Sequence, residues 1–146
     1  MIFLHTVDTG DAALFQDTSY AAMSPGAMEG MIEESLAQSH GGRYFEMLAV
    51  MDDKICVGFV SLYEREDGAV SCGPEIKPQY RRQGYGYVAV RSALERAKRM
   101  GYSKAVAQVR RDNDASIALH QKLGFAQCRS YVNKKGHSVF EFEKDL

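Results

Sequence analysis

Two arginines and two glycines stand close together in the stretch Lys77-Pro78-Gln79-Tyr80-Arg81-Arg82-Gln83-Gly84-Tyr85-Gly86. These residue types in this order suit an anion. Glycine takes positive φ without strain and lets a ligand approach the backbone closely. A helix starting at such a loop offers unpaired N–H groups and the positive end of its dipole. Arg81 and Arg82 would add charge-assisted hydrogen bonds. The chemistry indicated is the holding of a phosphate-bearing ligand; the competing reading of the two arginines is a solvated surface turn.

The context narrows the ligand. Gly84-Tyr85-Gly86-Tyr87-Val88-Ala89 formally fits the dinucleotide fingerprint G-x-G-x-x-G/A, yet that fingerprint follows a strand directly, and here Pro78 to Gln83 intervene. An acidic residue is also required about 20 residues on for the ribose. The corresponding segment, Lys104-Ala105-Val106-Ala107-Gln108, has none. A Walker loop is excluded because no Gly-Lys-Ser/Thr occurs.

The elements that must position this loop follow from periodicity and punctuation. Ile2 to Val7 reads as a first strand, and Ala12 to Tyr20 as a short helix after the capping candidates Asp8 to Asp11. Ser24-Pro25 starts a second helix, with Met28, Met31, Ile32 and Leu36 on its inner face and a stop before Gly41-Gly42. Phe45 to Met51 and Ile55 to Tyr63 form a hairpin through Asp52-Asp53, and Gly58 marks a bulge or close backbone approach. Ala69 to Ile76 is the strand entering the loop. Tyr85 to Met100 is the helix leaving it, with Ala89, Val90, Ala93, Leu94 and Ala97 facing inward. Lys104 to Arg110 then completes a parallel strand–helix–strand crossover. Asn113-Asp114 caps a helix running to Leu123, and the strands Ala126 to Val132 and Ser138 to Glu143 flank an Asn133-to-Gly136 turn. The expected fold is an α/β (α+β) mixed sheet of six to seven mostly antiparallel strands, with one parallel crossover and helices on both faces.

At 146 residues the chain reads as a single domain, 1–146, with room for a real core. Apolar content of 45% and charged content of 25% are ordinary for a globular protein. A net charge of −1 argues against general nucleic-acid or anionic-membrane binding, while the clustering of basic residues between Lys77 and Arg111 is compatible with a local anion site. Three cysteines without a C-x-x-C pair read as small core hydrophobes in a reducing compartment. No run approaches the ~18 apolar residues of a membrane span, and the expected location is cytoplasmic. His5, His40 and His137 lack metal-ligand spacing, and no metal is expected.

A second pattern follows the loop: Asn113-x-x-Ser116-Ile117-x-Leu119-His120-x-Lys122-Leu123-Gly124-Phe125. Taken with Arg81-x-x-Gly84-x-Gly86, in this order and separated by a helix and a strand, it resembles the GNAT superfamily of acyl-CoA-dependent N-acetyltransferases. Residues 45 to 146 carry the resemblance; the first 44 match in element order. The resemblance implies acetyl-CoA as cofactor, its pyrophosphate cradled by Arg81, Arg82, Gln83, Gly84, Tyr85 and Gly86. It also implies a pantetheine arm lying along the strand that ends at Ile76, with contacts from Asn113 and Ser116. The implied reaction is direct attack of a primary amine, most readily of a small molecule, on the acetyl thioester. Transfer to a protein N-terminus or lysine, and a non-catalytic acyl-CoA-binding regulatory module, are the alternatives. The expected partner is a small-molecule amine, without nucleic acid or membrane, and a homodimer is compatible with the sequence.

Such a transfer needs a neutral amine, and deprotonating an alkylammonium at pH 7 costs about 4.6 kcal/mol. His120 stands where the family most often has Tyr, placed to protonate the departing thiolate. On its helix it shares a face with Ser116, Ile117 and Leu123 and should point inward toward the cofactor. An imidazole there could accept the amine's proton, supply the acid, or simply pack in the core. Glu75, beside the expected reaction centre and on the strand face opposite Pro74 and Ile76, is the other candidate base, against a purely structural or exposed role. Cys72 reads as a core residue rather than an acyl carrier.

Overall fold

A computed structural model describes all residues from Met1 to Leu146. In chain order the elements are β1 (Ile2–Thr6), 3-10 turns at Ala12–Phe15 and Ser19–Ala22, α1 (Pro25–Ala37), β2 (Phe45–Asp52), β3 (Ile55–Glu64) and β4 (Val70–Ile76). A 3-10 turn at Pro78–Tyr80 leads to α2 (Tyr85–Arg99), β5 (Lys104–Arg110), α3 (Asp114–Lys122), β6 (Ala126–Val132) and β7 (Ser138–Asp145). The strands form one seven-stranded sheet in the order β1-β2-β3-β4-β5-β7-β6. Only the β4–β5 neighbours are parallel. The mixed sheet, the crossover and the helices on both faces agree with the sequence reading.

Two apolar clusters sandwich the sheet. On one face Ala89, Val90, Ala93, Leu94 and Ala97 of α2 pack with Leu123 and Phe125 onto Leu48, Val60, Cys72 and Ala107. On the other, Met28 and Ile32 of α1 join Phe15 over Met47, Ala49 and Phe59. Small alanines along α2 let its backbone lie close to the sheet. Glu46, fully buried at 0% exposure, crosses the α2 layer as an ion pair. Arg96 donates to both its oxygens, at 2.9 and 2.7 Å, and Tyr44 adds a third hydrogen bond.

Two details depart from the sequence reading. The segment from Ala12 to Tyr20 is broken into two 3-10 turns rather than one helix. Leu36 is exposed at 47%, and Ser35 turns inward instead. The Ser35 hydroxyl accepts from the Met47 N–H at 2.7 Å and donates to the Met47 carbonyl, which ties α1 to β2. Helix α1 stops before Gly41 as expected, the left-handed turn falling on Gln38 at φ 54°. Ser24 and Asn113 cap α1 and α3 as expected, accepting from Ala27 N at 3.2 Å and Ser116 N at 3.0 Å.

Candidate active site

Strand β4 pairs fully with β3 but meets β5 at only two positions, Val70 with Ala105 and Ser71 with Val106. Beyond Ser71 the parallel strands part. The β4 edge from Cys72 to Ile76 therefore has backbone hydrogen-bonding groups facing a gap rather than a neighbouring strand, the arrangement to which an extended ligand can add.

The loop after β4 is built as an anion cradle. Gly84 caps α2 with φ 83° and no side-chain hydrogen bond. The backbone N–H groups from Arg82 through Tyr87 have no acceptor within the chain. A Cβ on Gly86 would touch Leu119 at 3.4 Å and Ile76 at 3.8 Å, so glycine keeps the cradle open between β4 and α3. Arg82 itself takes φ 63°. Such a nest of consecutive N–H groups at a helix start binds phosphate.

The gap and the cradle belong to one cleft of about 700 Å³. Among its lining residues are the expected Glu75, Ile76, Arg81, Arg82, Gly84, Tyr85, Gly86, Asn113 and Ser116. Arg81 also braces the strand end, since its Nε donates to the Ile76 carbonyl at 3.0 Å. Gln83 contributes backbone alone, since its side chain turns back to the Gln79 carbonyl and does not line the cleft. The sequence reading missed Tyr87 and Lys122. The Lys122 ammonium lies 4.8 Å from the Tyr87 ring centroid and brings a further positive charge to the wall. Its spacing of three from Leu119 and six from Ser116 was the available signal.

Glu75 lines the cleft, but its carboxylate is engaged. It accepts from the Ser19 N–H at 2.7 Å and from the Ser19 hydroxyl, holding the Ser19–Ala22 turn down on β4. His120 is buried at 2% exposure between Phe125 and Phe142, and it is not among the lining residues. Its Nδ1 lies 2.8 Å from the Ser116 carbonyl, so Nδ1 carries the proton and Nε2 holds the lone pair. Nε2 is the one buried side-chain polar atom without a partner. Burial pushes the imidazole below its ordinary pKa, more than the Ser116 hydrogen bond raises it. Cys72 is buried and its thiol is pushed up to about 12 by desolvation, which removes it as a nucleophile near neutral pH. His5, which showed no ligand spacing in the sequence, meets Asp8 and Asp11 in space with ligand atoms within 4.8 Å. Asp11 accepts from His5 Nε2 and the Asp8 N–H, so these bonds serve the loop.

A mixed sheet with a split parallel pair, an N–H nest at the split and a capped helix across from it defines an acyl-CoA-binding transferase fold. The acetyltransferase (GNAT) family profile matches residues 12–125, and the chain belongs to that family. It is 28% identical over 93 residues to the [ribosomal protein bS18]-alanine N-acetyltransferase of Escherichia coli (strain K12), covering 64% of this chain. The match spans 62% of that relative's length, less than two thirds. Among solved structures, a chimera of spermidine N-acetyltransferase SpeG from Vibrio cholerae and hSSAT superposes with TM-score 0.83 at 17% identity over 98% of this chain and 95% of the other. YncA from Salmonella typhimurium, a putative acetyltransferase solved with acetyl-CoA, gives 0.79 at 18% identity over 99% and 94%. These likenesses establish the fold.

Proposed function

We propose that this chain is an acetyl-CoA-dependent N-acetyltransferase acting on the primary amine of a small molecule. One observation carries the reading: the unpaired β4 edge and the unpaired N–H groups of residues 82–87 open into the same cleft. The cofactor fits these residues. The N–H nest, Arg82 and Lys122 would hold the pyrophosphate, and the edge from Cys72 to Ile76 would hold the pantetheine arm. Asn113 and Ser116 border the opposite wall. When bound, acetyl-CoA supplies a thioester carbonyl open to attack and a thiolate leaving group.

The chain's own residues shape the site and attract the acceptor. His120 is enclosed outside the cleft lining, so it does not meet the amine's proton; it positions Ser116 on the cleft wall through its Nδ1–H bond to the Ser116 carbonyl. Glu75 seats the Ser19–Ala22 turn against β4 and places negative charge beside the cleft, where it attracts an ammonium. The protein-directed alternative draws its support from the Escherichia coli relative, a ribosomal-protein alanine N-acetyltransferase.

Purified protein incubated with acetyl-CoA and a panel of amines, amino-terminal peptides and lysine peptides, with free thiol as readout, tests the reading. Turnover on small amines is expected. Turnover confined to peptides would replace the acceptor class. Tight coenzyme A binding without any turnover would make the chain a binding module and overturn the reading.

A further inference from the structure

A second cavity, of about 730 Å³, lies along the Ala27–Met31–Glu34 flank of α1, and the proposed reaction does not account for it. Three aromatic rings form its wall. His40, Phe45 and Tyr63 stand with centroids 6.1 Å (His40–Phe45), 5.8 Å (His40–Tyr63) and 6.5 Å (Phe45–Tyr63) apart, at mutual angles of 60°, 60° and 66°. A cation set beside this near-equilateral triangle comes within the ~6 Å reach of a cation–π contact with the rings whose faces it meets. Met31 extends the apolar wall, and Glu34 supplies the cavity's one carboxylate. Glu34 hydrogen-bonds His40 Nδ1, which orients the imidazole within the wall. No lysine or arginine lines the cavity, and the nearby Arg43 pairs outward with Glu66 at 3.7 Å. Aromatic rings beside one carboxylate, with no cationic lysine or arginine, favour an organic cation over an anion.

Its position links it to the cleft. Tyr63 is the register partner of Ser71, and Ser71 with Val106 is the last rung before β4 and β5 part. Tyr63 on its wall is therefore one strand spacing from Ser71 and two, roughly 10 Å, from Val106 across the base of the split. We infer that the His40–Phe45–Tyr63 cavity is the subsite for a second, cationic group on the acceptor, so that the preferred substrate is an alkylamine carrying another ammonium about 10 Å from the reacting nitrogen. The inference rests on the acetyltransferase reading for its catalytic half only.

Two measurements separate the halves. The protein titrated with butyltrimethylammonium chloride should show saturable aromatic NMR shifts at His40, Phe45 and Tyr63. The neutral isostere 3,3-dimethylbutanol should not produce them, and Glu34→Gln should weaken binding at least fivefold. In parallel, kcat/KM for 1,7-diaminoheptane should exceed that for n-heptylamine at least tenfold, mainly through KM. In Glu34→Gln and Phe45→Ala that ratio should fall below threefold, with coenzyme A binding confirming that both variants fold. Absent shifts, or equal shifts with the neutral isostere, overturn the cation site whatever the catalysis. Saturable shifts with equal kcat/KM for diamine and monoamine overturn its link to the acceptor. Saturable shifts without turnover of any amine sink the acetyltransferase reading while leaving the cation site in place.

Discussion

Gly58 of β3 and Glu75 of β4 approach so closely that a Cβ on Gly58 would fall onto the Glu75 carbonyl oxygen and lie 2.8 Å from the Ile76 Cα. The β2–β3 ladder slips at the same level, where Val50 faces Gly58 and Met51 faces Cys56. The bulge and the missing side chain together let β3 press against the part of β4 that borders the cleft.

Gly58→Ala should therefore act on the cleft as well as on the fold. Both obstructing groups are backbone, so β4 must shift. A loss of about 3 kcal/mol in urea unfolding is expected, with coenzyme A affinity falling at least tenfold by calorimetry. Unchanged affinity in a folded variant would show that β4 does not carry the cofactor.

At Gly84 there is open space for a Cβ, and the cost of a side chain is the φ of 83°. Gly84→Ala should lose about 1–2 kcal/mol of stability through left-handed strain. Coenzyme A binding should weaken by a larger factor than the stability loss alone would produce, because the N–H nest is re-aimed. Parallel melting and binding measurements check both numbers.

His120→Asn tests the positioning role. Because His120 holds the Ser116 carbonyl from outside the cleft, coenzyme A affinity should fall several-fold, with kcat changed no more than that and its pH profile kept. A loss of about 10²-fold in kcat with unchanged coenzyme A affinity would instead make His120 the proton acceptor.

The pH dependence of stability should resolve two windows. Burial lowers the folded-state pKa of His120, so the unfolded chain takes up the proton first as pH falls. Stability is lost from about pH 6.5 downward, until the folded value is reached. For Glu141, burial raises the carboxyl pKa, but hydrogen bonds from Arg129 and Arg65 outweigh it and the net direction is down. Its contribution is present above the unfolded value of about 4.3 and disappears as pH falls through the folded one. Urea unfolding from pH 8 to pH 3 should lose the upper step in His120→Asn and the lower step in Glu141→Gln.

Arg96→Ala would leave the fully buried Glu46 carboxylate without its guanidinium. A cost of about 3–5 kcal/mol is expected. Replacing both together, as Glu46→Leu with Arg96→Met, should recover most of it, since the uncompensated charge is then absent. Equilibrium unfolding of the single and double variants decides.

Much of this molecule is legible locally. The alanine and valine stripe of α2 announces its buried face, and Ser24 and Asn113 announce helix starts through side-chain oxygens that reach a nearby N–H. Strands β5 and β6 fall on the expected residues because their bounds are set by flanking polar and glycine residues. The glycines of the loop after β4 are legible too, since positive φ at Gly84 and close approach at Gly86 are demands that few residues meet.

The misreadings share a cause. Leu36 and Ser35 are adjacent on α1, and periodicity favoured the apolar one. Ser35 goes inward because the backbone of Met47 on β2 offers it both a donor and an acceptor. Phe15 is buried against Phe59 at 4.1 Å between ring centroids, an anchor that holds a broken 3-10 path where local pattern favours one helix.

The sequence alone determined the order of the elements, the glycine and arginine loop after β4 and the capped helix that faces it, because those depend on backbone freedom and short-range pattern. Tertiary structure decided what each candidate side chain can do. Glu75 is tied to Ser19, a residue 56 positions away, and His120 is enclosed by Phe125 and Phe142 with one nitrogen committed to Ser116. Protonation and reach are set by such neighbours, which only the packed chain brings together.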